Sequence, residues 1–214
     1  MHQERIICFV DGFNLYHAVN NLKKPHLKWL NLWSLASVFI RSKSQRLDAV
    51  YYFSAYADWL PDAKARHLRY VKALVMAGVT PVMGKFKKKD RRCPECRHKW
   101  QAHEEKETDV NIALALVSLA YQDKYDRALL ISNDSDLTPA IHMVRSSFPR
   151  KHITTIVPPH YRHSNELIQA SSDKAKITVA HLERSLMRDH IVDAEGNLIV
   201  TRPAEYAIAQ TVQR

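Results

Sequence analysis

Short apolar runs alternate along this chain with longer stretches whose apolar positions recur at helical spacing. Residues 6–10, Ile-Ile-Cys-Phe-Val, form the first run, and Asp11-Gly12-Phe13-Asn14 follows it at once. Residues 12–22 then suit a helix, and Asn31 suits the cap of a second one running to Ile40. Residues 50–55 are an apolar, aromatic-rich strand. Pro61 fits the first turn of a long helix through Met76, with Gly78 as its C-terminal cap. Residues 79–86 predict a strand that runs into a strongly basic segment. Residues 108–120 are apolar at nearly every position, which predicts a largely buried helix. Residues 128–131 are a buried strand that stops abruptly at Ser132-Asn133-Asp134-Ser135-Asp136. A helix (137–146), a strand (153–157) and a helix (164–170) complete the pattern. Strands alternating with helices predict a mainly parallel sheet with helices on both faces, an α/β architecture. The tail differs: residues 191–200 predict a β-hairpin turning at Glu195-Gly196-Asn197. The expected organisation is one domain over residues 1–188, with residues 189–214 as a ribbon and tail packed on it.

Composition narrows the class. At 214 residues, 46% hydrophobic and 25% charged, the chain suits a globular protein with a sizeable core. The net charge of +10 points to a polyanionic partner, nucleic acid first. No apolar run approaches the roughly 18 residues of a membrane span. The first residues lack a signal-peptide pattern. Three cysteines cannot build a disulfide framework, so a cytoplasmic location is expected. With only four glycines and neither a G-x-G-x-x-G nor a Walker A pattern, dinucleotide and P-loop chemistry are disfavoured.

Candidate chemistry lies in the acids. Asp11 ends the first strand, Asp134 and Asp136 follow the 128–131 strand, and Asp109 sits in the first turn of the 108–120 helix. Open α/β sheets bind ligands beyond the carboxyl ends of their strands. Carboxylates gathered there, with Ser132 and Asn14 beside them, are hard oxygen ligands suited to Mg²⁺ or Mn²⁺. Asp109 also has a structural reading, a pair with Lys106 one turn earlier. If the acids converge, divalent cations offset their repulsion, and hydrolysis of a phosphodiester is the natural reaction for an acidic site on a basic protein.

At these residues the chain resembles the NYN domain family, LabA-like proteins included, within the PIN-like metal-dependent nucleases. The matching pieces are Val10-Asp11-Gly12-Phe13-Asn14-Leu15-Tyr16, Glu105-Lys106-Glu107-Thr108-Asp109-Val110 and Ile131-Ser132-Asn133-Asp134-Ser135-Asp136-Leu137-Thr138-Pro139. The resemblance covers roughly residues 5–185. It implies a PIN-like three-layer α/β/α fold and a site formed by Asp11, Asp109, Asp134 and Asp136, with Asn14, Ser132 and Asn133 nearby. It also implies metal-dependent cleavage of RNA leaving 5′-phosphate and 3′-hydroxyl ends. Asp173, in Ser-Ser-Asp-Lys surroundings that differ from the family's, falls near where relatives place a further polar or acidic residue.

Lys85-Phe86-Lys87-Lys88-Lys89-Asp90-Arg91-Arg92 carries six basic residues in eight and leads into Cys93-Pro94-Glu95-Cys96. The run reads either as a solvated loop or as a phosphate-contacting arm beside the acids, with Phe86, Trp100 and Tyr121 as stacking partners. Lys85, Lys87, Lys88, Lys89, Arg91, Arg92 and Lys106 are the substrate-binding candidates. Cys93 and Cys96 have the spacing of half a zinc site, which His98 and His103 could complete within one chain or a homodimer could complete between two. The alternative is a surface insertion, residues 85–103, with free thiols. The remaining histidines are scattered, and none is placed in the local sequence to activate Ser132.

Two functions follow. The first is a cytoplasmic, Mg²⁺- or Mn²⁺-dependent endoribonuclease. The second is an RNA-binding regulatory protein that keeps the fold but not efficient catalysis. A phosphatase using an aspartate after its first strand would need a second one at position 13, where Phe stands.

Overall fold

The computed structural model of the chain describes residues 3–208. The elements run in order as β1 (Glu4–Asp11), α1 (Gly12–Asn21), α2 (Leu32–Ser37), β2 (Gln45–Ser54), α3 (Pro61–Met76), β3 (Val79–Met83), β4 (Lys85–Arg92), β5 (Lys99–Lys106) and α4 (Thr108–Tyr121). Then follow β6 (Arg127–Ile131), α5 (Thr138–Ser147), β7 (His152–Val157), α6 (Asn165–Ala170), β8 (Asp173–Lys176), α7 (Val179–Arg184), β9 (His190–Val192) and β10 (Leu198–Thr201). Six strands form one parallel sheet in the order β3-β2-β1-β6-β7-β8.

Period-2 alternation along β1 divides the core. Ile6, Cys8 and Val10 face one apolar layer with Leu15, Val19, Leu35, Val71 and Leu74. Ile7 and Phe9 face the other with Ile112, Leu116, Ile141, Val144 and Leu167. Helices α1, α2 and α3 therefore cover one face, and α4, α5 and α6 the other, giving the three-layer α/β/α arrangement the pattern predicts. Asp11 is in phase with Ile7 and Phe9, so it emerges at the carboxyl edge toward the α4 layer. Strand order reverses between β1 and β6, which makes their carboxyl ends the switch point where such sheets bind ligands. Gly12 lets the chain leave β1 against β2: a Cβ there would lie 2.6 Å from the Phe53 carbonyl oxygen.

The two edges of the sheet differ in charge. At the amino edge Arg5 pairs with Asp126 (2.7 Å) and Asp123 (3.0 Å), Lys151 with Asp123 (2.6 Å), and Arg127 with Glu4 (3.0 Å) and Asp173 (2.6 Å). At the carboxyl edge Asp11, Asp109, Asp134 and Asp136 have no such partners among the described residues.

Several elements depart from the sequence expectation. Asn31 does cap α2, accepting from the Ser34 N–H at 3.0 Å, but the helix ends at Ser37 rather than Ile40. The 79–86 run breaks at Gly84: β3 belongs to the main sheet, and the basic stretch is a separate strand paired antiparallel with β5. Helix α4 is not largely buried. Thr108, Ile112, Leu116 and Ala120 form its buried stripe, while Val110 and Leu114 are 58% and 63% exposed. Strand β8, Asp-Lys-Ala-Lys, carries no apolar signal yet pairs with β7 at the sheet edge. The C-terminal hairpin is present as β9–β10, with Gly196 in the left-handed region (φ 87°) and Val200 packed into the α1–α3 layer.

Candidate functional site

Three helix starts meet the switch point, and each carries an acid. Asp11 is the N-cap of α1: its Oδ1 accepts from the Asn14 N–H at 2.9 Å. Asp109 lies in the first turn of α4. Asp134 caps the 3-10 turn Ser135–Leu137 ahead of α5, accepting from the Asp136 N–H at 2.9 Å. Caps of this kind satisfy free backbone donors, and the partial positive charge of a helix start favours a carboxylate.

The β1–β6 register pairs Val10 with Ile131, so Asp11 and Ser132 leave adjacent strand ends side by side. Ser132 is fully buried and works as a tie: its hydroxyl donates to Asp11 Oδ2 at 2.8 Å and accepts from the Asp134 N–H at 3.1 Å. Asn14 Oδ1 accepts from the Asn133 N–H (3.2 Å), and Asn133 Oδ1 accepts from the Ser164 N–H (3.2 Å). These three residues knit the turns that carry the acids. The hydrogen bonds of Ser132 and Asn14 thus hold the backbone on which Asp11 and Asp134 stand.

The electrostatics show that the acids face one another. Burial pushes the Asp11 carboxyl up to about 6, against the hydrogen bonds from Asn14 and Ser132, and the charges of Asp109 and Asp134 push the same way. Asp109 is likewise raised to about 6, by burial first and then by Asp134, Glu105 and Asp136. Among the described residues none of Asp11, Asp109, Asp134 or Asp136 has a cationic partner. The Lys106–Asp109 pair is not formed: Lys106 meets Glu104 at 3.3 Å instead. Asp173 does not join them, because it begins β8 at the opposite edge and pairs with Arg127. Glu105 is an addition. It lies close enough to raise Asp109, and its Oε1 accepts from the Thr108 N–H at 3.2 Å.

The donor set fits a hard divalent cation in chemistry: oxygen ligands only, with Asp11 buried, Asp109 and Asp134 half-buried and Asp136 exposed at the rim. Two hydroxyls at the same helix starts, Thr108 Oγ1 and Thr138 Oγ1, are buried with no hydrogen-bond partner. The side chains as they stand are more open than a closed chelate, with no three His, Cys, Asp or Glu among the described residues at mutual ligand spacing.

The β4–β5 hairpin rises beside this site. Its outer face gathers Lys85, Lys87, Lys89, Arg91 and Lys106 around Glu104, with Trp100 44% exposed. Glu104 binds Lys89 (3.1 Å), Arg91 and Lys106, which together hold its carboxyl well below the usual range, near about 2. Lys85 pairs with Glu107. Lys87, Lys88 and Arg92 carry no ion pair among the described residues. The inner face docks: Phe86 meets Trp59 (4.7 Å between centroids) and Phe13 (5.4 Å), and His103 stacks on Trp59 at 3.7 Å. Phe13 stands two residues from Asp11, so this aromatic contact seats the basic arm at the acids. Trp59 carried no signal in the sequence, since it lies in an ordinary loop after β2. Its stacking also removes His103 from the Cys93–Cys96 turn. Tyr121 lies at the far end of α4, against Phe148, away from the arm.

On the other face of β1, a cavity of about 220 Å³ opens between α1 and α3, lined by Tyr16, Tyr52, His67 and Tyr70 among others. His67 Nε2 meets the Tyr52 hydroxyl at 3.0 Å, and burial lowers its pKa to about 4.

Known proteins resemble the chain at three levels. A solved structure of a protein of unknown function from Vibrio parahaemolyticus superposes with a TM-score of 0.54 at 19% identity, over 87% of this chain and 98% of that one, which shows the shared fold. A 6-hydroxy-3-succinoylpyridine 3-monooxygenase, HspA of Pseudomonas putida, is 26% identical over 177 residues, 66% of this chain. The chain spans 56% of the length of that curated relative. The profile of the NYN domain matches residues 5–177, which include every acid of the switch point. The chain belongs to the NYN domain family, within the PIN-like nuclease superfamily, and has its nuclease-type fold.

Proposed function

We propose that this protein is a metal-dependent ribonuclease cutting within RNA at the carboxylates of Asp11, Asp109, Asp134 and Asp136. One observation carries the reading. Every ion-paired acid at the sheet's amino edge has its cation, whereas four acids at the carboxyl edge face one another without any among the described residues.

Those four side chains would hold Mg²⁺ or Mn²⁺. Bound there, such a cation neutralises charge growing on a phosphate and lowers the pKa of a water that attacks it. The protein's own contribution is placement. Ser132 fixes one oxygen of Asp11 and the backbone before Asp134, and Asn14 and Asn133 hold the two turns together. Lys87, Lys88 and Arg92 are free to grip backbone phosphates, and exposed Trp100 offers a stacking surface for a base. RNA as the substrate follows from this basic arm and the family.

The test is incubation of the wild type and Asp134→Ala with mixed RNA and Mn²⁺. Cleavage by the wild type alone, abolished by chelator, is expected; activity surviving both the substitution and the chelator would overturn the reading. Binding that weakens steeply with salt, with no cleavage under any metal, would establish the RNA-binding regulatory alternative instead.

A second reading has one observation behind it. The relative from Pseudomonas putida is named for oxidation of a pyridine compound, and the cavity between α1 and α3 has aromatic walls with one polar His67–Tyr52 edge. Saturable binding of pyridine carboxylates, lost in Tyr52→Leu, would support it.

A further inference from the structure

The tip of the β4–β5 hairpin carries two free cysteines, and it stands apart from the acids. The chain turns there through Cys93-Pro94-Glu95-Cys96-Arg97-His98. The Cys93 N–H donates to the His98 carbonyl at 2.8 Å, and the Arg97 N–H donates to the Cys93 carbonyl at 3.0 Å. Arg97 takes the left-handed region (φ 59°), which bends the strand back beneath the turn. This folding brings the backbone N–H groups of Glu95 and Cys96, and the Cys96 thiol, near the Cys93 sulfur. Both cysteines are free, Cys96 exposed and Cys93 partly so. Paired sulfurs a C-x-x-C apart, cradled by backbone donors in a tight turn, are the knuckle by which hairpins hold tetrahedral zinc.

Zinc needs four ligands at such a site, and the tip supplies two. Among the described residues no third His, Cys, Asp or Glu stands at ligand distance. His103 is stacked on Trp59 at the hairpin's base, the His98 ring lies against Trp100, and Cys8 is fully buried in β1. The within-chain Cys93, Cys96, His98, His103 set is thus not assembled. Residues 94–101 are all exposed, so nothing among the described residues shields the tip from an identical one. Two such tips related by a two-fold axis present four sulfurs, and a two-fold contact is self-complementary by construction.

We propose that a Zn²⁺ ion joins two copies of this chain through Cys93 and Cys96 of each. Charge favours the assignment. Four thiolates around one Zn²⁺ leave a net negative centre, and Arg92, Arg97 and Lys99 flank each turn. Without the metal, those same cations make the two tips repel. The dimer is therefore zinc-dependent, and it draws the two basic arms end to end into one longer basic surface.

The experiment uses the full chain, stripped of metal under reducing conditions and then loaded with Zn²⁺ alone. Elemental analysis after desalting and light scattering on the same sample give the ratio and the mass. Expected are about half a zinc per chain, twice the chain mass, and return to monomer with a strong chelator. Cys93→Ser and Cys96→Ser should each lose both the zinc and the dimer while keeping the wild-type circular dichroism. Asp134→Ala should keep both, which separates this ion from any held by the acids. Co²⁺ in place of Zn²⁺ should give the visible absorption of a tetrahedral four-thiolate complex. One zinc per chain at monomer mass would overturn the proposal in favour of a within-chain site, and failure to retain zinc after loading would remove the site.

Discussion

Neutralising Asp11 should make the metal-free protein more stable while abolishing the proposed cleavage. The carboxyl is 4% exposed, and its pKa moves from an ordinary 3.8 to about 6. A raised carboxyl favours the folded state only while protonated. That contribution is complete below about 3.8 and is lost as pH rises through about 6. Since each tenfold change in proton affinity is worth about 1.4 kcal/mol, ionised Asp11 costs the fold about 3 kcal/mol at pH 8. Asp11→Asn keeps the shape and the acceptor for the Asn14 N–H, carries no charge, and sets an amide N–H opposite Ser132, whose oxygen then accepts where its hydroxyl had donated, so the gain is an upper figure. In a chain of this length it should raise Tm by roughly 6–12 °C at pH 8 in chelator, with the difference shrinking toward zero near pH 4. Thermal melts followed by circular dichroism across that range measure it. Mn²⁺ at about 1,000 times its Kd should then reverse the order, because it stabilises the wild type by about 4.1 kcal/mol, more than the variant's advantage, and the variant binds it weakly. A variant no more stable than wild type at pH 8 without metal would refute the claim that Asp11 is held in a charge-deficient site.

Other outcomes follow from the same geometry. Ser132→Ala removes two hydrogen bonds inside the core, so it should cost roughly 1–3 kcal/mol in urea unfolding and lower cleavage without changing RNA affinity. Asp173→Asn should leave cleavage unchanged, since its carboxylate serves Arg127 at the far edge; a loss of activity with intact melting would return it to the site. Trp59→Ala should unseat the hairpin and weaken RNA binding in filter or polarisation assays while the melting transition stays cooperative. Lys87→Ala and Lys88→Ala should each reduce the slope of log affinity against log salt by about 1, if both contact phosphate.

The order of strands and helices was legible because each central strand is apolar and each of its neighbours is amphipathic. The positions of Asp11, Asp134 and Asp136 were legible for a related reason, since a carboxylate that follows an apolar strand of a parallel sheet has few places to go, and Asp109 was legible as the acid that opens an apolar helix. What escaped notice depends on register and on contacts between distant segments. A run of six cations reads as solvent-exposed until Glu104 is seen across the strand from Lys87, accepting from Lys89 and Arg91. Strand β8 is polar because it lies at the edge, where one neighbour suffices. The seating of the arm rests on Trp59, an aromatic in a loop with no local partner, and the duty of Ser132 rests on a contact with Asp11 made 121 residues away.

The hairpin occupies the connection from β3 to α4, where the chain crosses from one helical layer to the other. Its two strands leave and return at nearly the same point, Gly84 and Glu107, just ahead of Asp109. An arm rooted in this way can grow, shrink or change its tip without shifting the register of any sheet strand, because only the loop outside the root is altered. Relatives with the same acids can thus differ in reach and in what they grip. The part of this protein most open to divergence is therefore also the part nearest the chemistry.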